Sequence, residues 1–443
     1  MEPSTEAKNW RAFITIWIGQ IISMFGSGLT NFGLGVWVYE KTGSATDFTL
    51  IYVCGVLPSL VLAPFVGVVV DRWDRRKVLL MSYLGAATAM VTLVTLVALN
   101  RLEVWHVYGI VAFGSIFLAF QFPTYGAVAT LLVPKKHFGR ASGMVQFGSS
   151  SARILAPLLA GILMPIIKLE GLVVVDVVTF FIGAVTLLLV SIPRPERSAV
   201  GQAAKGSVFR EAGFGWAYLK SRPALLSLLG FFALLNLFFA MSQVLVTPLV
   251  LSGAGETQLG FVLAFGSVGA LAGGLLMSAW GGPAKRIWGI LGFSPLLGLA
   301  MLVIGVSSWV PLIATGVFLL FFLVPIINGS DQAIWQSKVE PDVQGRVFAT
   351  RQLLSQFTTP IAFLAAGPLA DRVFGPLLET GGRLAGSLGP VFGVGEGRGI
   401  GLQFAVMGCL LTLTALAGLA YPKLRGLDEE VPDAVPEQAA VGA

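Results

Sequence analysis

Long apolar runs alternate along the chain with short polar connections. A helix that crosses a bilayer needs roughly 20 mostly apolar residues. Twelve stretches meet that measure, near 12–38, 47–70, 76–99, 104–133, 141–167, 171–192, 224–251, 257–280, 287–307, 310–334, 347–370 and 400–421. Two breaks between them are long. Residues 193–222 form a polar linker whose second part, Val208 to Leu219, has the makings of a surface helix with Phe209, Phe214, Trp216 and Tyr218 at the interface. Residues 371–399 form a Gly-rich loop with room for one short amphipathic helix.

The pattern predicts an all-α membrane protein of twelve transmembrane helices in two pseudo-symmetric six-helix bundles. The first bundle is 1–192 and the second 223–425, joined by a cytoplasmic linker at 193–222 and followed by a disordered tail at 426–443. The halves repeat. An offset of 206 places Gly139 and Arg140 on Gly345 and Arg346, Gln146 on Gln352, Ser149 on Ser355, and Ala160 and Gly161 on Ala366 and Gly367. Internal repeats of this kind are typical of transporters.

Composition agrees. The 443 residues are 55% hydrophobic and 12% charged, against roughly 25% charged in soluble domains. The basic residues are scattered over many short loops, which argues against a nucleic-acid partner. Cys54 and Cys409 both lie in apolar runs and read as packing residues. Two histidines leave no metal cluster to build, and no phosphate-binding GxxxxGK loop is present. No cofactor, no metal and no enzyme activity are therefore expected. The opening residues lack the pattern of a cleaved signal, so the first span reads as an uncleaved insertion signal.

Charge sets the orientation. With the N-terminus inside, 21 of the 29 Lys and Arg fall in cytoplasmic segments and 6 on the opposite side. The positive-inside rule then places both termini in the cytoplasm of a multi-pass protein of the cell inner (plasma) membrane.

One hairpin concentrates the charge. Between the second and third spans stand Gly67, Asp71, Arg72, Asp74, Arg75, Arg76 and Lys77. The plain reading is a stop-transfer anchor; the other is a gate latch. Asp71 sits at the cytoplasmic end of the second span, where it can face the positive N-terminus of the eleventh, near Arg346. A carboxylate so placed gains roughly 0.3–1 kcal/mol, up to about 2 when partly buried. Arg140 and Arg346, at equivalent places in the two halves, are candidate partners.

Polar stripes run along four spans. Gln20, Ser23, Ser27 and Asn31 recur at helical spacing in the first, and Gln146, Ser150, Arg153 and Pro157 in the fifth. Asn236, Gln243 and Thr247 mark the seventh, and Gln352, Gln356 and Thr359 the eleventh. Each set shares one helix face. Interhelical hydrogen bonding and a substrate pathway both explain such stripes. Arg153 lies near the middle of its span, where a charge costs at least about 2.5–3.5 kcal/mol and should face water or a partner. Asp176 and Asp331 are the candidate proton-carrying acids, each weighed against a structural, hydrogen-bonded carboxylate.

The hairpin resembles the loop motif G-x-x-x-D-R-x-G-R-R-K of the major facilitator superfamily, with Asp74 in place of a Gly. Gly143, Ala152, Ala156, Pro157, Ala160 and Gly161 are similar to its antiporter motif, with Ala at three Gly positions. Close helix packing explains those small residues equally well. The run around Trp37, Tyr39, Glu40, Thr42 and Gly43 looks like the bacterial macrolide efflux and enterobactin exporter subgroup. The Arg-containing motif of the fourth span is absent, since 111–127 carry no charge.

The resemblance implies a secondary active exporter of amphiphilic small molecules, of drug or siderophore class, by proton antiport and alternating access. Its energy source is the proton gradient and its partners are substrate, protons and lipid, with the chain as a monomer. An importer or lipid mover of the same fold, or a non-transporting sensor or scaffold, is the alternative.

Overall fold

The computed structural model describes residues 3–72, 75–133, 138–190, 216–339 and 344–432, and among them every regular element is helical. Four long helices open the chain: α1 (Pro3–Thr42), α2 (Ala45–Arg72), α3 (Arg75–Ala98) and α4 (Val104–Leu132). The next, α5 (Phe138–Leu189), is 52 residues long and turns at Lys168, whose φ of 56° and ψ of −172° are not helical. A straight helix of that length would span about 78 Å, far beyond a hydrocarbon core of about 30 Å. The break at Lys168 therefore yields two arms, in the places predicted for the fifth and sixth spans.

The second part of the chain contributes α6 (Pro223–Leu251), α7 (Glu256–Trp280), α8 (Arg286–Leu291), α9 (Ser294–Val306), α10 (Val310–Lys338) and α11 (Gln344–Pro368). A π-helical turn, Leu369–Phe374, continues α11 into the Gly-rich loop. The loop holds two single-turn helices, α12 (Gly375–Leu378) and α13 (Gly389–Phe392), where sequence predicted one amphipathic helix. Beyond it follow α14 (Arg398–Ala420), α15 (Pro422–Arg425) and α16 (Leu427–Glu430). The ninth predicted span is thus two helices, α8 and α9, parted at Gly292 and Phe293.

Among the described residues, eleven helices are long and apolar enough to cross a membrane, one of them the stretch Leu155–Leu189 that contains the break. The chain is a multi-pass membrane protein. It divides into two compact units, 1–204 with 254–264, and 205–253 with 265–443. The outer unit boundary thus cuts α7, whose first turns group with the first unit.

In the first unit α1 packs along both arms of α5, and α4 packs against α2 and α3. A cluster around Phe13, Leu79, Tyr83, Leu132, Phe180 and Leu187 fills one end. In the second unit α14 packs along α9, and α11 along α6. Lipid tails are as apolar as leucine, so such helices associate by close packing. Glycine makes the closest approach possible between α9 and α14. A Cβ at Gly408 would lie 2.5 Å from the Gly298 carbonyl oxygen, and one at Gly401 the same distance from that of Gly305.

The segment read as a disordered tail, 426–443, begins with order. Leu427 is fully buried. Lys338 Nζ donates to the carbonyls of Asp428 at 2.8 Å and Val431 at 2.6 Å. The Ile287 N–H donates to Asp428 Oδ2 at 3.2 Å, and Lys285 meets Glu429 at 2.7 Å. Acidic composition suggested a solvated chain, but three donors at the ends of α8 and α10 fix its first turn. Residues 433–443 lie outside those described.

Candidate functional site

The C-terminal part of α10 and the N-terminal part of α11 bring together a buried charge pair. Asp331 lies seven residues before the end of α10 and Arg351 seven residues after the start of α11. Each therefore stands about 10 Å from its helix end. An Arg351 Nη2 N–H donates to Asp331 Oδ2, and Nη1 donates to Gln332 Oε1 at 2.9 Å. Trp335, one turn along α10, donates its Nε1–H to Asp331 Oδ1 at 2.9 Å. The guanidinium also stands 5.1 Å from the centre of the Trp335 ring.

Burial defines what the cluster can do. The Asp331 side chain is 1% exposed and that of Arg351 18%. A buried ion is tolerated only when paired and hydrogen-bonded, and here both carboxylate oxygens accept. Arg351 alone keeps a route to the surface. A proton arriving at Asp331 would cancel the charge that holds Arg351 in place. Asp331 was legible in the sequence as a candidate acid. Arg351, Gln332 and Trp335 were not singled out, although an acid and an arginine equidistant from position 341 were a usable signal.

The first unit holds a different carboxyl. Asp176, on the second arm of α5, is fully buried. Ser27 of α1 donates to its Oδ1 at 3.2 Å, while Oδ2 has no partner among the described residues. Gly26 lets α1 approach here, since its Cβ would fall 2.9 Å from Asp176 Cα. Ser27 is therefore tied to a carboxyl inside its own unit. Gln20 likewise accepts from the Tyr83 hydroxyl at 3.0 Å. Asn31 and Gln243 are exposed, and Asn236 is half-buried.

The antiporter-like residues on α5 form a packing face. Ala152, Ala156 and Ala160 are buried, and a Cβ on Gly28 of α1 would lie 2.6 Å from the Ala156 Cβ. At Gly161 a Cβ would meet the Glu256 carbonyl oxygen at 2.8 Å and Gly260 Cα at 3.0 Å. Thr257 Oγ1 donates to the Gly161 carbonyl at 3.1 Å. Pro157 lies inside the helix, and its carbonyl faces Gly260.

Gly67, Asp71 and Arg72 are in the last turns of α2 and Arg75, Arg76 and Lys77 in the first turn of α3. The Lys77 side chain is exposed. Asp74 and the side chains of the other hairpin residues lie outside those described. The same holds for the side chains of Arg140, Gln146, Arg153, Arg346, Gln352 and Gln356, and for any around Gly143, so the proposed contacts of Asp71 have no described geometry. Among the described residues no group of His, Cys, Asp and Glu is arranged to hold a metal.

Comparison with known proteins places this geometry in context. The sequence profile described as Major Facilitator Superfamily matches residues 16–363. Macrolide efflux protein A of Streptococcus pyogenes is 30% identical over 372 residues, which is 82% of this chain and 91% of that protein. The multidrug efflux pump Tap of Mycolicibacterium fortuitum is 25% identical over 78% of this chain and 86% of its own. Among solved structures, a bacterial homologue of the human lysosomal transporter Spinster, inward-facing and unoccupied, superposes with a TM-score of 0.69. It has 13% identity and covers 94% of this chain and 96% of its own.

Proposed function

Because the chain belongs to the major facilitator superfamily, we propose that it exports small amphiphilic molecules by alternating access, driven by proton entry. Efflux is supported by the likeness to the streptococcal macrolide efflux protein over most of both chains. The observation that carries proton coupling is the Asp331–Arg351 pair, a buried acid whose partner reaches the surface.

In this reading, unprotonated Asp331 holds Arg351 and thereby ties the inner ends of α10 and α11. Protonation releases the guanidinium to water and loosens that tie. Each proton that moves inward down 100 mV supplies roughly 2.3 kcal/mol, enough for a concentration ratio on the order of fifty. Asp176, held by Ser27, then serves as a structural carboxyl. The Asp71 hairpin acts as the latch of the inner mouth, and Ala152, Ala156, Ala160 and Gly161 as the seal of the packed face. Transport is the activity proposed. The inner membrane with both termini cytoplasmic is the proposed setting.

Inside-out vesicles test the reading. Addition of a proton-pumping substrate should drive accumulation of a lipophilic fluorescent dye, and a protonophore should collapse it. Accumulation that ignores the protonophore would remove proton coupling, and none at all would remove export.

A further inference from the structure

A small recess lies in the 205–253 and 265–443 unit, between α6, α9 and α10. It is partly open, has a volume of about 80 Å³ and is lined by Phe232, Asn236 and Phe239 of α6, Leu297 of α9, and Ile327 and Asn328 of α10, with two further aliphatic residues. None of its lining residues is titratable. Of the two amides at the pocket, Asn236 is half-buried and Asn328 is exposed, and an amide set among apolar walls gains from a polar partner. Neither Asn236 nor Asn328 makes a hydrogen bond recorded among the described residues.

We propose that this pocket is a binding subsite for a compact, uncharged appendage bearing a hydroxyl or carbonyl, carried by the exported amphiphile; the proposal rests on the export reading. Three features set the ligand chemistry. The volume is about half that of an engineered cavity that accepts benzene, so the recess takes a group of roughly three or four heavy atoms while the rest of the molecule lies outside it. The aromatic and aliphatic walls favour carbon. An amide both donates and accepts, so the pair recognises a hydroxyl or carbonyl without offering a counter-charge.

The pocket is placed to report its own occupancy. Asn328 precedes Asp331 by three residues, about 4.5 Å along α10. Pro325, one residue beyond Val324 in the lining, lies inside the same helix. Proline has no N–H to donate, so α10 lacks one backbone bond beside the pocket. An appendage seated against Asn328 thus bears on the turn of α10 that presents Asp331 to Arg351.

Three versions of one neutral fluorescent dye test the subsite, ending in a 3-hydroxypropyl, a propyl or a propylammonium chain. Each is titrated by fluorescence polarisation against the full-length protein in lipid nanodiscs, and its uptake is followed in inside-out vesicles. The hydroxypropyl dye should bind most tightly. Asn236→Leu and Asn328→Ala should each weaken it by about tenfold and leave the propyl dye unchanged. Equal weakening of both dyes, no effect in either variant, tighter binding of the ammonium dye, or no binding of any dye to the parent would overturn the subsite. Because binding is read separately from uptake, the two readings can fail independently. Amide-dependent binding without uptake would sink export alone, and uptake indifferent to both substitutions would sink the subsite alone. Asn236→Gln, which keeps the amide, guards against a folding defect and should retain the preference for the hydroxypropyl dye.

Discussion

Asp331 and Arg351 differ in what their loss should do. Removing one member of a buried pair strands the other, at about 3–5 kcal/mol when neither reaches water. Arg351 is partly exposed and Asp331 is not. Asp331→Asn should therefore leave the folded yield near normal while flattening the pH profile of vesicle uptake. Arg351→Ala should lower the melting temperature more. A pH profile unchanged in Asp331→Asn but lost in Asp176→Asn would move the coupling acid to the first unit. The two lysines at the C-terminal turn also differ. The exposed Lys285–Glu429 bond lowers the Glu429 pKa and raises that of Lys285, each mainly through the hydrogen bond they share. Its contribution is present above the usual carboxylate range, fades as pH falls through the lowered Glu429 value, and fades again as pH rises through the raised Lys285 value. Screening keeps it small. Lys338 is buried and donates to two carbonyls. Lys338→Met should speed hydrogen exchange in 427–431 by mass spectrometry, whereas Lys285→Ala should not.

At the scale of the helix, glycine positions divide by what surrounds them. The α9–α14 contact leaves no space at Gly408, so Gly408→Ala should cost about 1–3 kcal/mol by overpacking. Gly109 of α4 has nothing within 4 Å of a built Cβ. Gly109→Ala should be neutral or stabilising by up to about 1 kcal/mol, since alanine is the better helix former. Thermal unfolding in detergent of both variants checks the contrast; an equal loss in the two would mean that α9 and α14 do not depend on that approach. Most of the helices were legible because length and apolar character decide them. The break at Lys168 falls in the gap predicted between the fifth and sixth spans, at 168–170. The parting of α8 from α9 was not legible, because Gly292 sits within an unbroken apolar stretch. Asn328 escaped notice for a related reason: a stripe needs several polar residues, and its partner in the pocket stands on another helix.

For the molecule as a whole, the legible features were those set by apolar length and by motif: a membrane protein of many spans that belongs to the major facilitator superfamily. The site was only half legible. Asp331 and Asp176 stood out as acids in apolar runs, whereas their actual partners, Arg351 and Trp335 in one case and Ser27 in the other, depend on which helix faces pack. Orientation is the prediction that belongs at this scale. A cysteine at Lys77 in a chain lacking Cys54 and Cys409 should resist a membrane-impermeant maleimide in intact cells and react once the cells are opened. Labelling in intact cells would reverse the topology and, with it, the direction of transport.

The ordered turn at Leu427–Glu430 has a practical consequence for anyone who attaches a reporter to this protein. A fluorescent fusion joined directly after Tyr421 would leave the Ile287 amide and the Lys338 ammonium facing solvent or lipid headgroups, and its dim signal would be mistaken for poor expression. Joined after Pro432, the same reporter would hang from a stretch already anchored and leave the carrier beneath it undisturbed.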